Sequence, residues 1–271
     1  MRNIFAVAGV VIKELYRRKD FYVLFILTVL VCLIMGSVNI FNDKQIVRYL
    51  KELCLLLIWV SSLVIAITTT ARQIPAEREQ RTLLPLLAKP LTRPQLIFGK
   101  FLGCWFACGL VLICFYLFFG ALALSREHGE LAASGRHHWL LLLLLGYFQA
   151  AFLHWIALGV VVALALLGSL VFAAPSSNST ICFALVAIIL CVGRYLDAVA
   201  LSLGEPFRSI IYAVYYAVPH LEIPFEMRNL IVHDWPLIGW DFVGLDILYL
   251  LAYMGVFLVA ACLVFRRKPV N

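Results

Sequence analysis

Few side chains in this sequence can do covalent or hydrolytic chemistry, and their spacing narrows the choice further. Cradling a nucleotide phosphate takes a G-x-x-x-x-G-K-[ST] loop, because backbone N–H groups and a lysine must converge on the anion. The one Gly-Lys pair, Gly99-Lys100, has Pro94 at the first glycine position and Phe101 after the lysine. That route to ATP hydrolysis is closed. His128, His137 and His138 stand near Glu127 and Glu130, where a metal site and a hydrated loop are the alternatives. His154 lies alone in an apolar run; it is either a functional intramembrane polar group or a neutral ring bonded to a neighbouring helix. The eight cysteines all fall in apolar runs without C-x-x-C spacing. Cys104 and Cys108, one helical turn apart, suit a soft metal such as Cu(I), or serve as small apolar filler. No catalytic set and no metal-ligand set is assigned to the chain.

The elements that hold these residues belong in a bilayer. Of 271 residues, 64% are hydrophobic and 14% charged, against roughly 25% charged in ordinary soluble domains. Mean hydropathy is +0.98. A soluble enzyme and a disordered chain are both excluded, the latter also by 19 Phe, 11 Tyr and 6 Trp. A spanning helix needs about 20 apolar residues. Runs of that kind predict an all-α integral membrane protein, a single transmembrane domain over 1–271 with six spans at about 21–41, 53–71, 96–125, 139–174, 180–193 and 247–265. The fourth run is long enough to bend. The fourth and fifth are divided by Pro175-Ser176-Ser177-Asn178-Ser179-Thr180, a breaker joined to cap-forming residues.

Charge sets the orientation. With six spans and both termini inside, the inner segments hold 14 of the 22 basic residues and 4 of the 15 acidic ones, Glu14, Asp20, Glu77 and Glu79. That is the positive-inside distribution; the basic balance points to membrane orientation, not nucleic acid. These spans carry no paired carboxylates and no Arg, which argues against an ion-driven transporter that powers itself. Residues 1–20 predict an interfacial amphipathic helix, with Ile4, Phe5, Ala8, Val11, Ile12, Leu15 and Tyr16 on one side; the alternative is the first turns of a long first span.

Between spans two and three, Pro75 suits a first helical position and Glu77 and Glu79 suit the positive helix end. Glu77 and Arg81 are spaced for an i,i+4 pair. Leu83, Leu84, Leu86 and Leu87 form an apolar cluster cut by Pro85 and Pro90, and Thr92 with Gln95 has capping-box spacing. A knuckle of charges and leucines under a membrane is built for docking. Between spans five and six, residues 207–218 are apolar but too short to cross, which predicts a re-entrant or interfacial helix with Tyr212, Tyr215 and Tyr216 on one face.

The segment Glu77-Arg78-Glu79-Gln80-Arg81-Thr82-Leu83-Leu84-Pro85, followed by Leu91-Thr92-Arg93 and Gly99-Lys100, resembles the type 2 family of ABC transporter permeases. Pro219-His220-Leu221-Glu222, His233 and the close Phe265-Arg266-Arg267-Lys268 are similar too, with His220 where the family pattern has Asn. Within that family the chain looks most like permeases grouped with multicopper-enzyme maturation, such as the one serving nitrous oxide reductase. The resemblance implies a dimer of permease chains, identical or related, in a bacterial cytoplasmic membrane. It also implies a pair of cytoplasmic ATPase subunits that bind ATP and Mg, and it admits a periplasmic accessory protein. A coupling helix would include Glu77, Arg78, Glu79, Arg81, Thr82, Leu83, Leu84, Leu86, Leu87 and Arg93, and an outer gate Tyr212, Tyr215 and Tyr216. The competing readings are a membrane-embedded lipid-modifying enzyme, for which the inner loops lack histidine and clustered carboxylates, and a passive assembly factor, which would leave the proline-bounded knuckle unused.

Overall fold

The computed structural model describes the backbone of residues 2–17, 19–37, 44–79, 92–134, 137–202, 204–216, 218–233 and 235–267. Among the described residues there are eleven α-helices and no strand: α1 (Arg2–Tyr16), α2 (Lys19–Ser37), α3 (Lys44–Ala71), α4 (Pro75–Glu79), α5 (Arg93–Ser134), α6 (His137–Val171), α7 (Pro175–Ser202), α8 (Phe207–Tyr216), α9 (Glu222–Glu226), α10 (Arg228–Val232) and α11 (Trp240–Arg267). Five stretches among the described residues are long and apolar enough to cross a membrane: Lys51–Glu79, Arg93–Leu122, Leu144–Val171, Pro175–Ser202 and Trp240–Arg267. Inside α2, Phe25–Ile34 is a shorter apolar helix among the described residues, and 38–41 of the expected first span lie outside them.

Several helices outrun the apolar runs that announced them. The expected outer loop 126–138 is helical through Ser134, and α3 begins at Lys44, nine residues before its apolar run. Long polar side chains are good helix formers, so they extend a span beyond the hydrocarbon without breaking it. The expected divider at 175–179 is itself the first turn of α7. Pro175 starts the helix because a first-turn proline gives up an N–H that has no partner there anyway. Asn178, fully buried, donates from Nδ2 to Ala165 O at 3.0 Å and so ties α7 back to α6. Residues 137–171 form one uninterrupted helix.

α6 is the axis of the bundle, packed by α11, α3 and α5. Its residues Leu153, Val160, Val162, Ala163, Ala165, Leu166 and Leu170 are all buried, as expected for a helix apolar all round. The α5–α6 seam is a reciprocal clasp. Trp105 Nε1 donates to Trp155 O at 2.9 Å and Trp155 Nε1 to Trp105 O at 3.3 Å, with the rings stacked 4.6 Å apart. Each indole lies over a glycine of the facing helix: Trp155 against Gly109, Trp105 against Gly159. Both glycines are four residues beyond the tryptophan of their own helix, so the clasp reads the same from either side.

α1 is a separate helix, not the first turns of α2. Ala8, Val11 and Leu15 are buried, and the helix packs along α5. Close approach is possible because Gly99 and Gly103 face it: a Cβ at either would lie 2.7 Å from the Cβ of Val7 or Val11 respectively. Small residues at i and i+4 let two backbones meet in this way. We predict that Gly103→Ala lowers stability in detergent by about 1–3 kcal/mol through overpacking. Gly255→Ala, where a Cβ meets nothing within 4 Å, should leave it unchanged. Thermal melts of the two variants decide this.

Candidate coupling site

The segment that follows α3 turns sharply and is held by the next long helix. Gln73 N donates to Thr70 O at 3.1 Å, and α4 continues the turn with Ala76 N to Arg72 O and Arg78 N to Ile74 O. Thr70, Ala71, Gln73 and Ile74 are buried. A helix of five residues has no independent stability, so its position must come from outside.

It comes from Lys100, whose side chain is 2% exposed. An ammonium has three N–H donors and no acceptor. Lys100 Nζ lies 2.8 Å from Gln73 O, 3.4 Å from Gln73 Oε1 and 2.7 Å from Glu77 Oε1. All three donors are used, on the turn and on α4 at once. Among the described residues Glu77 is paired with Lys100; the expected Glu77–Arg81 pair involves Arg81, which lies outside them. Arg78 is half-buried and Glu79 exposed. Arg81, Thr82, Leu83, Leu84, Leu86 and Leu87 lie outside the described residues.

Where the chain re-enters the described structure, Thr92 N donates to Gln95 Oε1 at 3.1 Å, half of the reciprocal bonding that capping-box spacing predicts. Arg93 then reaches the end of the last helix: its Nη1 donates to Phe265 O and Arg266 O, each at 3.0 Å, with the guanidinium 5.6 Å from the Phe265 ring centre. Carbonyls in the last turn of a helix have no partner within it, and a cation there complements the helix dipole.

At mid-bundle His154 is buried between Ser62 and Tyr116. Ser62 Oγ gives its one proton to Trp59 O at 2.8 Å. It therefore accepts at 2.9 Å from His154 Nε2–H, and His154 Nδ1 accepts from Tyr116 Oη at 3.3 Å. Both ring nitrogens are occupied with the imidazole neutral.

At the opposite end, α8 carries the three tyrosines. Tyr212 and Tyr216 stack at 6.2 Å, and Tyr215 turns toward His220, ring centres 4.0 Å apart. His220 Nδ1 lies 3.0 Å from Glu222 Oε1. Gly193 of α7 presents bare backbone to that carboxylate, since a Cβ there would sit 2.5 Å from Oε1. Asp246 is buried nearby in α11, and neither of its oxygens has a hydrogen-bond partner. α11 starts at Trp240, upstream of the expected span 247–265, and so carries Asp246 in the same helix. Among the described residues no group of three His, Cys, Asp or Glu side chains converges as a metal site.

Coupling residues, His154 and tyrosines thus occupy three levels of one bundle and do not form a single pocket. Residues 34–263 match the family described as ABC-2 family transporter protein, a stretch that contains the turn, α4, Lys100, Arg93 and the tyrosine helix. The chain belongs to this family. It is therefore a multi-pass membrane permease subunit of an ABC transporter, a family that works with an ATPase subunit. No curated protein matches the chain. The permease's own sequence signals missed Lys100 as a structural cation, although a lone charge in an otherwise apolar helix is a signal that a partner must exist. Nothing local could have named that partner.

Removing one member of a buried ion pair strands the other. Lys100→Met should cost about 3 kcal/mol, with Glu77→Leu/Lys100→Met recovering part of it. Thermal unfolding in detergent reads both.

Proposed function

We propose that this permease couples ATP hydrolysis in a separate cytoplasmic subunit to substrate movement through the segment 75–93. The carrying observation is the threefold engagement of Lys100, which makes α4 a rigid extension of a membrane helix rather than a free loop. A push on Glu79 or on the leucines beyond it is then delivered to α5 and α3 without slack. A motor shifts a conformational equilibrium only through contacts that differ between the two states, and a helix fixed on one side and exposed on the other is suited to make them.

In this reading the chain crosses a bacterial cytoplasmic membrane six times, α2 included, with both termini inside. Two permease chains, identical or related, frame the pathway. ATP and its Mg ion are bound by two ATPase subunits, and transport runs outward under the outer tyrosines. The motif likeness to permeases of multicopper-enzyme maturation supports a copper- or sulfur-related cargo for metalloenzyme assembly, delivered to a periplasmic accessory protein. This is the first cargo class to assay.

The test is ATP hydrolysis that co-elutes with the tagged permease from detergent extract. Glu79→Arg, at an exposed position, should reduce that co-eluting activity about tenfold, a coupling loss of about 1.4 kcal/mol, while the thermal midpoint stays at the wild-type value. Wild-type hydrolysis in the variant would overturn the assignment.

A further inference from the structure

The last helix is fastened at both ends to the two regions that a transport cycle must synchronise. At its C-terminal end, Arg93 holds Phe265 O and Arg266 O. Toward its N-terminal end, Tyr249 Oη donates to Val218 O at 2.8 Å and Tyr253 Oη to Tyr216 O at 2.7 Å. Those two carbonyls are the last residue of α8 and the connection beyond it. All four contacts are side-chain donors on backbone carbonyls, so each grips the path of the chain rather than a rotatable side group. At 1.5 Å per residue, Tyr249 and Phe265 are about 24 Å apart along the axis.

Between these ends α11 is one 28-residue helix without proline. Val243, Leu250, Met254, Leu258, Ala261 and Phe265 form its buried stripe, laid along α6, where Gly159 admits the Met254 methyl. The other face is lipid-type: Leu248, Val256, Val259 and Leu263 are exposed. α8, by contrast, has no buried residue of its own. Its placement depends on α7 and on what α11 supplies.

We infer that α11 is the link carrying motion of the coupling segment to the tyrosine helix, and that Arg93 is the positioning residue that attaches it. Displacement of the start of α5 carries the Arg93 guanidinium, which is bonded to the end of α11. α11 moves along α6 as a rod, and Tyr249 and Tyr253 carry the end of α8 with it. The His220–Glu222 pair and Asp246 lie beside that attachment, so the same movement changes their spacing. This inference rests on the coupling reading above, and its failure is separable from the failure of that reading.

The experiment uses the full-length permease with its co-purified ATPase and follows amide hydrogen exchange with and without ATP plus vanadate. In the wild type, trapping is expected to change exchange at both 75–79 and 207–216. Arg93→Gln should keep the change at 75–79 and diminish that at 207–216 at least fivefold. Tyr249→Phe/Tyr253→Phe removes only the far attachment; it should keep the responses at 75–79 and 261–267 and lose that at 207–216. Should Arg93→Gln fail to fold, the tyrosine pair carries the test alone. A full response at 207–216 in the tyrosine variant, or in a folded Arg93→Gln, overturns the link and leaves the coupling reading standing. A wild-type response at 75–79 alone does the same. No wild-type response at 75–79 overturns the coupling reading itself.

Discussion

An ammonium group deprived of water must find three acceptors, and the arrangement at one end of this bundle follows from that requirement. Lys100 sits in a helix face shared with Ile97, Phe101 and Cys104, all buried. Leaving its charge unmatched there would cost several kcal/mol. The chain answers by folding the end of α3 back over it, so that a backbone carbonyl, an amide oxygen and a carboxylate converge on one nitrogen. α4 is thus placed by a charge rather than by helix propensity. Because the three acceptors come from a turn and from a helix, neither can shift without exposing the other's bond.

Much of the helical architecture is legible in the apolar runs, and each departure from them has its own physical cause. Apolar runs reveal the part of a helix that faces lipid or core, not its ends, so they leave 44–52 and 126–134 as loops although these residues continue α3 and α5. Pro175, followed by Ser and Asn residues that favour loops, has the signature of a breaker, yet a proline opens a helix as readily as it closes one. The contact of Glu77 with Lys100, 23 residues on, has no local signal, because it depends on how α5 packs against the end of α3. Thr92 and Gln95, whose relationship is purely local, were legible and are joined in the structure.

Asp246 illustrates the same limit from the other side. Its sequence neighbours mark it as lying just outside an apolar run, where a carboxylate would be solvated. The described fold brings His220 and Glu222 near it instead, so a residue at the margin of a span becomes interior. Charged side chains that end in the interior of a membrane protein are expensive and therefore rarely idle. The tyrosine helix, His220 and Glu222 all meet near this one, although they are scattered over four elements.

The clasp between Trp105 and Trp155 bears on how such a bundle can rock. Two indoles that each donate to the other's backbone while lying on the other's glycine leave no room to slide, because any translation breaks both bonds and drives a ring into a chain. Around the clasp the fifth and sixth helices must therefore travel together, while the first turns of the fifth, which carry Arg93, lie beyond its grip. Whatever hinge opens and shuts the passage has to lie elsewhere, along seams made of methyl groups, whose contacts are interchangeable and survive a change of register.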